Sequence, residues 1–212
     1  GVGASVVGGL KVLGGGWATG GVMAGVFLPY GRGSALPARL WRGFVSGGLV
    51  FCWLRGRCVA LPRPVAFVPL FFVTLGVQLL HFTEEYVGEL AMLYPPLYGG
   101  EPQTQTIFVV LNMSIYALVS WACVLVFYRD LRFLLVPVLF FVCLGALGNA
   151  IIHSVWTIRL GDYFPGVITA QAYWVLGPLL LYRLTGSVRA TAVAAIAFAI
   201  LLPVPLTVLM SA

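Results

Sequence analysis

Two short runs carry the residues best suited to chemistry. His81, Glu84 and Glu85 stand at i, i+3 and i+4, and Asn149 and His153 at i and i+4, so each set falls on one face of a helix. Two neutral imidazoles with one or two carboxylates complete a site for a divalent transition metal, zinc, iron or manganese, with positions left open for water or substrate. Such a metal generates a hydroxide or polarises an ester carbonyl. For that chemistry the first ligands are His81, Glu84 and His153. Glu85 is a ligand or general base, Asn149 orients a ligand or donates to an oxyanion, and Tyr163 is a donor behind the ligands. Without metal, the same residues supply a carboxylate and a histidine as general base and acid. A structural account also fits each piece: a polar helix end reaching the headgroups, hydrogen bonds holding helices together, or tyrosine and proline at a membrane interface.

The elements that must position these residues are apolar helices. The chain has 212 residues, 61% hydrophobic and 8% charged, where a soluble domain is roughly 25% charged. Apolar runs fall at 64–90, 106–128, 133–157, 166–182 and 190–210, most of them near the roughly 20 residues needed to cross a bilayer. The expected fold is therefore all-α, a polytopic transmembrane bundle of about five helices in one compact domain, 61–212. Prolines 69, 137, 178, 203 and 205 lie within spans and are expected to bend the helices rather than break them. Gly145, Ala146 and Gly148 look like small packing positions that allow close helix approach. Residues 1–60 form a glycine-rich and basic segment, in which 44–54 reads as an interfacial helix. The start does not resemble a signal peptide, and 1–43 is compatible with a membrane-associated segment, a leader or a piece of something longer.

The net charge of +6 comes from Lys11 and the arginines and is concentrated between Arg32 and Arg63, which points to anionic headgroups rather than nucleic acid. Arg55, Arg57 and Arg63, then Arg129 and Arg132, then Arg183 and Arg189 all fall on one side of the bundle. The opposite loops hold Arg159 with Glu89, Glu101 and Asp162. Basic residues are retained in the cytoplasm, so the core is expected to start inside and end outside, in the plasma or inner membrane. Counting from Arg63, His81 lies about 27 Å up its helix; from Arg132, Asn149 and His153 lie about 26 and 32 Å up theirs. The two clusters reach the same height, next to Tyr163, Pro165 and Gly166. An ionisable residue inside a span costs about 3 kcal/mol unless paired or wet, which makes this cluster a functional candidate. Gln78 and Gln171 are expected to line the same cavity. Cys52, Cys58, Cys123 and Cys143 form no CxxC pair and suggest neither a disulfide framework nor a zinc knuckle.

His81-Phe-Thr-Glu84-Glu85, Asn149-Ala-Ile-Ile-His153 and Tyr163-Phe-Pro165-Gly166 resemble, in this order, the HxxEE, NxxxH and YxPG motifs of the HXXEE domain family. The resemblance covers about 64–210 and implies an integral membrane protein with a site at these residues, without fixing a reaction. Two chemical functions compete with a third reading, a structural or assembly subunit of a larger membrane complex. One is a membrane enzyme, hydrolase-like and metal-dependent, acting on a lipid or other apolar substrate near the outer leaflet. The other is a proton-coupled transporter or ion-binding carrier that uses the same His/Glu cluster.

Overall fold

The computed structural model describes residues 61–98 and 101–202. The interfacial helix at 44–54 and the prolines at 203 and 205 lie outside them. Among the described residues the regular structure is entirely helical. α1 runs Pro64–Val87, α2 Leu90–Leu93, α3 Gln105–Arg129, and α4 Leu135–Phe140. A π-helical segment, Phe141–Gly148, follows and continues into α5, Asn149–Leu160; then come α6, Val167–Ala170, α7, Tyr173–Thr185, and α8, Val188–Leu201.

Three stretches are long and apolar enough to cross a membrane: Pro64–Val87, Gln105–Arg129 and Arg132–Leu160. With their outward valines and isoleucines exposed, they make this an integral membrane helical bundle. The first three expected spans thus correspond closely to helices. The fourth is divided. Between α6 and α7 the backbone tightens into i→i−3 hydrogen bonds, Gln171 to Ile168 and Ala172 to Thr169, so 167–185 is two helical pieces rather than one even rod.

Local chemistry accounts for the ends. Pro64 opens α1, where its missing N–H costs nothing. Thr104 and Ser187 cap α3 and α8 by accepting from the backbone N–H of Ile107 and Ala190. α5 and α7 stop at Gly161 and Gly186 in the left-handed region. The helices run on through Pro69, Pro137 and Pro178. Within the spans, the hydroxyls of Thr74, Thr83 and Ser120 donate to the carbonyl four residues back, satisfying themselves where no water can.

In lipid, helices associate by packing rather than by escape from water. Phe67 and Phe71 of α1 are fully buried, stacked on Phe127 of α3 and edge-on to Phe141 at centroid distances of 4.7 and 5.0 Å. α7 lies against the π segment. There a Cβ at Gly177 would stand 3.1 Å from Leu147, so the close approach uses Gly177. Gly145 and Gly148, expected to serve that purpose, instead meet atoms of their own segment, the Phe141 ring and the Cys143 carbonyl. Their lack of a side chain accommodates the wider π turn. Ala146 does pack between helices, buried with Ala150, Ala170 and Tyr173.

Candidate metal centre

His81 and Glu85 arrive on the last two turns of α1, one helical turn apart. His153 comes from α5. Glu85 Oε1 lies 3.2 Å from the Nε2 atom of each histidine. All three side chains are buried, and His81 is completely so. The imidazole rings meet edge to face with centroids 4.7 Å apart. The three groups offer one nitrogen, one nitrogen and one oxygen within 4.8 Å of one another, a donor set that could hold a metal ion.

Glu84 belongs to a different structure. Its Oε1 accepts from the Tyr163 hydroxyl at 2.9 Å and the Ile168 N–H at 3.0 Å, and its Oε2 accepts from the N–H and the hydroxyl of Thr169. A carboxylate has about four lone-pair sites, and here all are taken by donors from 163–169. Glu84, expected among the first ligands, therefore fastens α6 and the turn before it to the end of α1. Tyr163 takes part in that fastening and is half exposed. It lies in the connection outside the spans. Burial pushes its hydroxyl above the ordinary tyrosine range, and the bond to the Glu84 carboxylate pushes it further.

Thr169 ties the two acids' surroundings together. Its single hydroxyl proton goes to Glu84, so the same oxygen accepts from His81 Nδ1 at 2.9 Å. That bond assigns the proton of His81 to Nδ1. Nε2, facing Glu85, is then the nitrogen with the free lone pair, and it is buried without a hydrogen bond. His153 Nδ1 is likewise buried without one.

Pro165 and Gly166 complete the wall. A Cβ on Gly88 would strike the Pro165 ring at 2.5 Å, and a Cβ on Gly166 would lie within 3 Å of both histidine rings. Gly166 also has φ +91°, a conformation natural only to glycine. Phe164 is buried against His153 and Trp156.

Beside the cluster lies a cavity of about 200 Å³ between α1, α3 and the π segment. Glu85, Asn149 and Gln78 stand on its wall. Gln171 does not; its side chain is exposed and donates to the Val167 carbonyl. Sequence reasoning missed Thr169 and Phe164. The only available cue was their place beside the Tyr163–Gly166 motif.

Residues 71–182, more than half of the chain, match the family described as "Protein of unknown function with HXXEE motif". The chain belongs to the HXXEE family. Comparison with curated proteins and with solved structures finds no match.

Proposed function

We propose that this protein is a membrane enzyme in which His81, Glu85 and His153 hold a divalent transition metal, zinc, iron or manganese, beside a cavity for an apolar substrate at the outer leaflet. The observation that carries the reading is the shared Glu85 oxygen, 3.2 Å from two buried imidazole nitrogens, on the wall of a largely apolar cavity. The residues suit such an ion. His81 offers a lone pair at Nε2 because Thr169 holds its other nitrogen, and a hydrogen-bonded outer partner of this kind is how proteins orient a ligating histidine. Three protein ligands leave room for water or substrate.

When bound, the metal supplies Lewis acidity and an activated water for hydrolysis of an ester or related bond. The chain's own residues do the rest. Glu84, through Thr169, fixes the His81 ring. Gly166 and Phe164 close one side of the histidines. Asn149 presents an amide to the cavity, suited to steadying a substrate oxygen. Tyr163 acts through Glu84 as a positioning residue.

The test is hydrolysis of neutral ester lipids by the purified chain in nanodiscs, with and without added metal. Activity that requires metal and is lost in Glu85→Gln supports the reading. Glu85→Gln as active as wild type, or activity independent of metal, defeats it.

A second reading, a proton-coupled carrier, draws on the row Glu84, Thr169, His81, Glu85, His153, whose members stand within hydrogen-bonding or ion-pair distance of one another. Proton flux into liposomes carrying the protein distinguishes it.

A further inference from the structure

The cavity beside Glu85 is specific in size, shape of lining and charge. Its volume of about 200 Å³ exceeds the roughly 150 Å³ space that admits a benzene-sized guest and falls below the roughly 300 Å³ where drug-sized clefts begin. That space suits a slender chain. Phe108, Leu111, Ile115 and Val119 of α3 face Leu75 and Phe82 of α1 across it, an apolar sleeve.

The polar groups set the rest of the ligand. Gln78 is buried, and its Oε1 is committed to the Tyr173 hydroxyl at 2.7 Å, so its amide nitrogen is the donor left for the cavity. Asn149, at the junction of the π segment and α5, brings a second amide to the same wall, and Asn112 of α3 a third. Among the described residues Glu85 is the sole charged one on the lining, with no lysine, arginine or histidine beside it there. In the metal-free protein a ligand anion would therefore meet a carboxylate and, among the described lining residues, no countercharge, which disfavours burial strongly. Amide donors without a cation suit a neutral carbonyl oxygen.

We propose that this cavity binds a neutral single-chain acyl ester, its chain between α1 and α3 and its carbonyl received by the amides of Gln78 and Asn149. The proposal deepens the enzyme reading and rests on it for the role of Glu85, but chain binding and metal binding are separable. A single-chain ester lies with its carbonyl near Glu85, the one residue common to the cavity and the His/Glu cluster.

The experiment uses full-length protein in nanodiscs and two photoreactive probes with the same diazirine chain, a monoacylglycerol and a free fatty acid. Crosslinked peptides are mapped by mass spectrometry, with unlabelled monoacylglycerol as competitor. In protein stripped of metal by a chelator, the neutral ester is expected to label cavity residues at least about tenfold more efficiently than the fatty acid at neutral pH, a difference of about 1.4 kcal/mol. Leu111→Trp or, should that variant not fold, Ile115→Phe fills the sleeve and lowers labelling by a similar factor. His153→Ala, which removes a proposed ligand but no cavity residue, retains labelling. Equal labelling by the two probes, labelling indifferent to both filling variants, or crosslinks confined to the outward-facing Val73 and Val110 would overturn the proposal. Competable labelling of a wild type that takes up no metal would remove the metal reading and leave this one standing.

Discussion

Gly166 and His153 are so close that a single methyl group on the glycine would stand 2.6 Å from Cε1 of the imidazole. The glycine's φ of +91° turns the chain so that its bare backbone faces His153 and His81 together. The loop between α5 and α6 thus forms one wall of the histidine pair, and residue size at 166 governs ring position.

Gly166→Ala is expected to displace at least one ring and to reduce metal uptake sharply, since both the conformation and the space are denied to a side chain. Gly161→Ala is the control. Its φ is +67° but nothing lies within 4 Å of the added carbon, so it should cost only about 1–2 kcal/mol of stability and leave metal uptake intact. Elemental analysis and thermal unfolding of both variants check this; equal metal contents would show that the contact with the rings is unimportant.

Thr169→Val preserves shape and removes the hydroxyl that joins Glu84 to His81. With His81 no longer held at Nδ1, metal affinity should fall about 10 to 100-fold, and Thr169→Ser should restore most of it. Competition against a chelator of known affinity measures both. A valine variant that binds as well as wild type would mean that His81 needs no outer partner.

Tyr163→Phe should be mild at neutral pH, because Glu84 keeps its three donors from Ile168 and Thr169. The pH dependence has a definite sign. Folding raises the Tyr163 hydroxyl above the ordinary value near 10, so its contribution is complete below that range and disappears as pH climbs through the raised value. The stability advantage of wild type over the phenylalanine variant should therefore shrink in strong alkali. Melting temperatures of the pair across pH 7 to 11 test it, and a gap that widens with pH would reverse the assignment.

How much of this was legible in the sequence follows from what each residue does to an apolar background. His81, Glu85 and His153 stand out because ionisable groups in spans are costly and rare, and helical spacing aligned them at one depth. The division of labour between Glu84 and Glu85 was not legible. Both fall on the His81 face, and the rotation of about 100° between successive residues decides that Glu85 meets the histidines while Glu84 meets the 163–169 turn. Thr169 was hidden because threonines in spans commonly satisfy themselves on their own helix, as Thr74 and Thr83 do. Phe164 was one aromatic among many. The π segment and the tightened passage at Gln171 depend on how neighbouring helices seat against them, which hydropathy does not encode.

Orientation is tested through the connection between α2 and α3. Its lack of Lys and Arg, against Arg63, Arg129, Arg132, Arg183 and Arg189 at the other helix ends, predicts that it is extracytoplasmic. In a background with Cys52 and Cys58 replaced by serine, Glu101→Cys should react with an impermeant maleimide on intact cells. Labelling only after lysis would invert the topology and move the site to the inner leaflet.

The central claim, a metal on His81, Glu85 and His153, is tested most directly by elemental analysis of purified protein after incubation with zinc, iron and manganese and removal of excess. The account predicts near-stoichiometric metal in wild type, and almost none in His81→Ala or His153→Ala. The two histidine variants should remain folded by thermal unfolding, because losing one polar side chain between membrane helices typically costs only about 0.6 kcal/mol. Wild type that stays metal-free with all three ions, or histidine variants that load as fully as wild type, would contradict it.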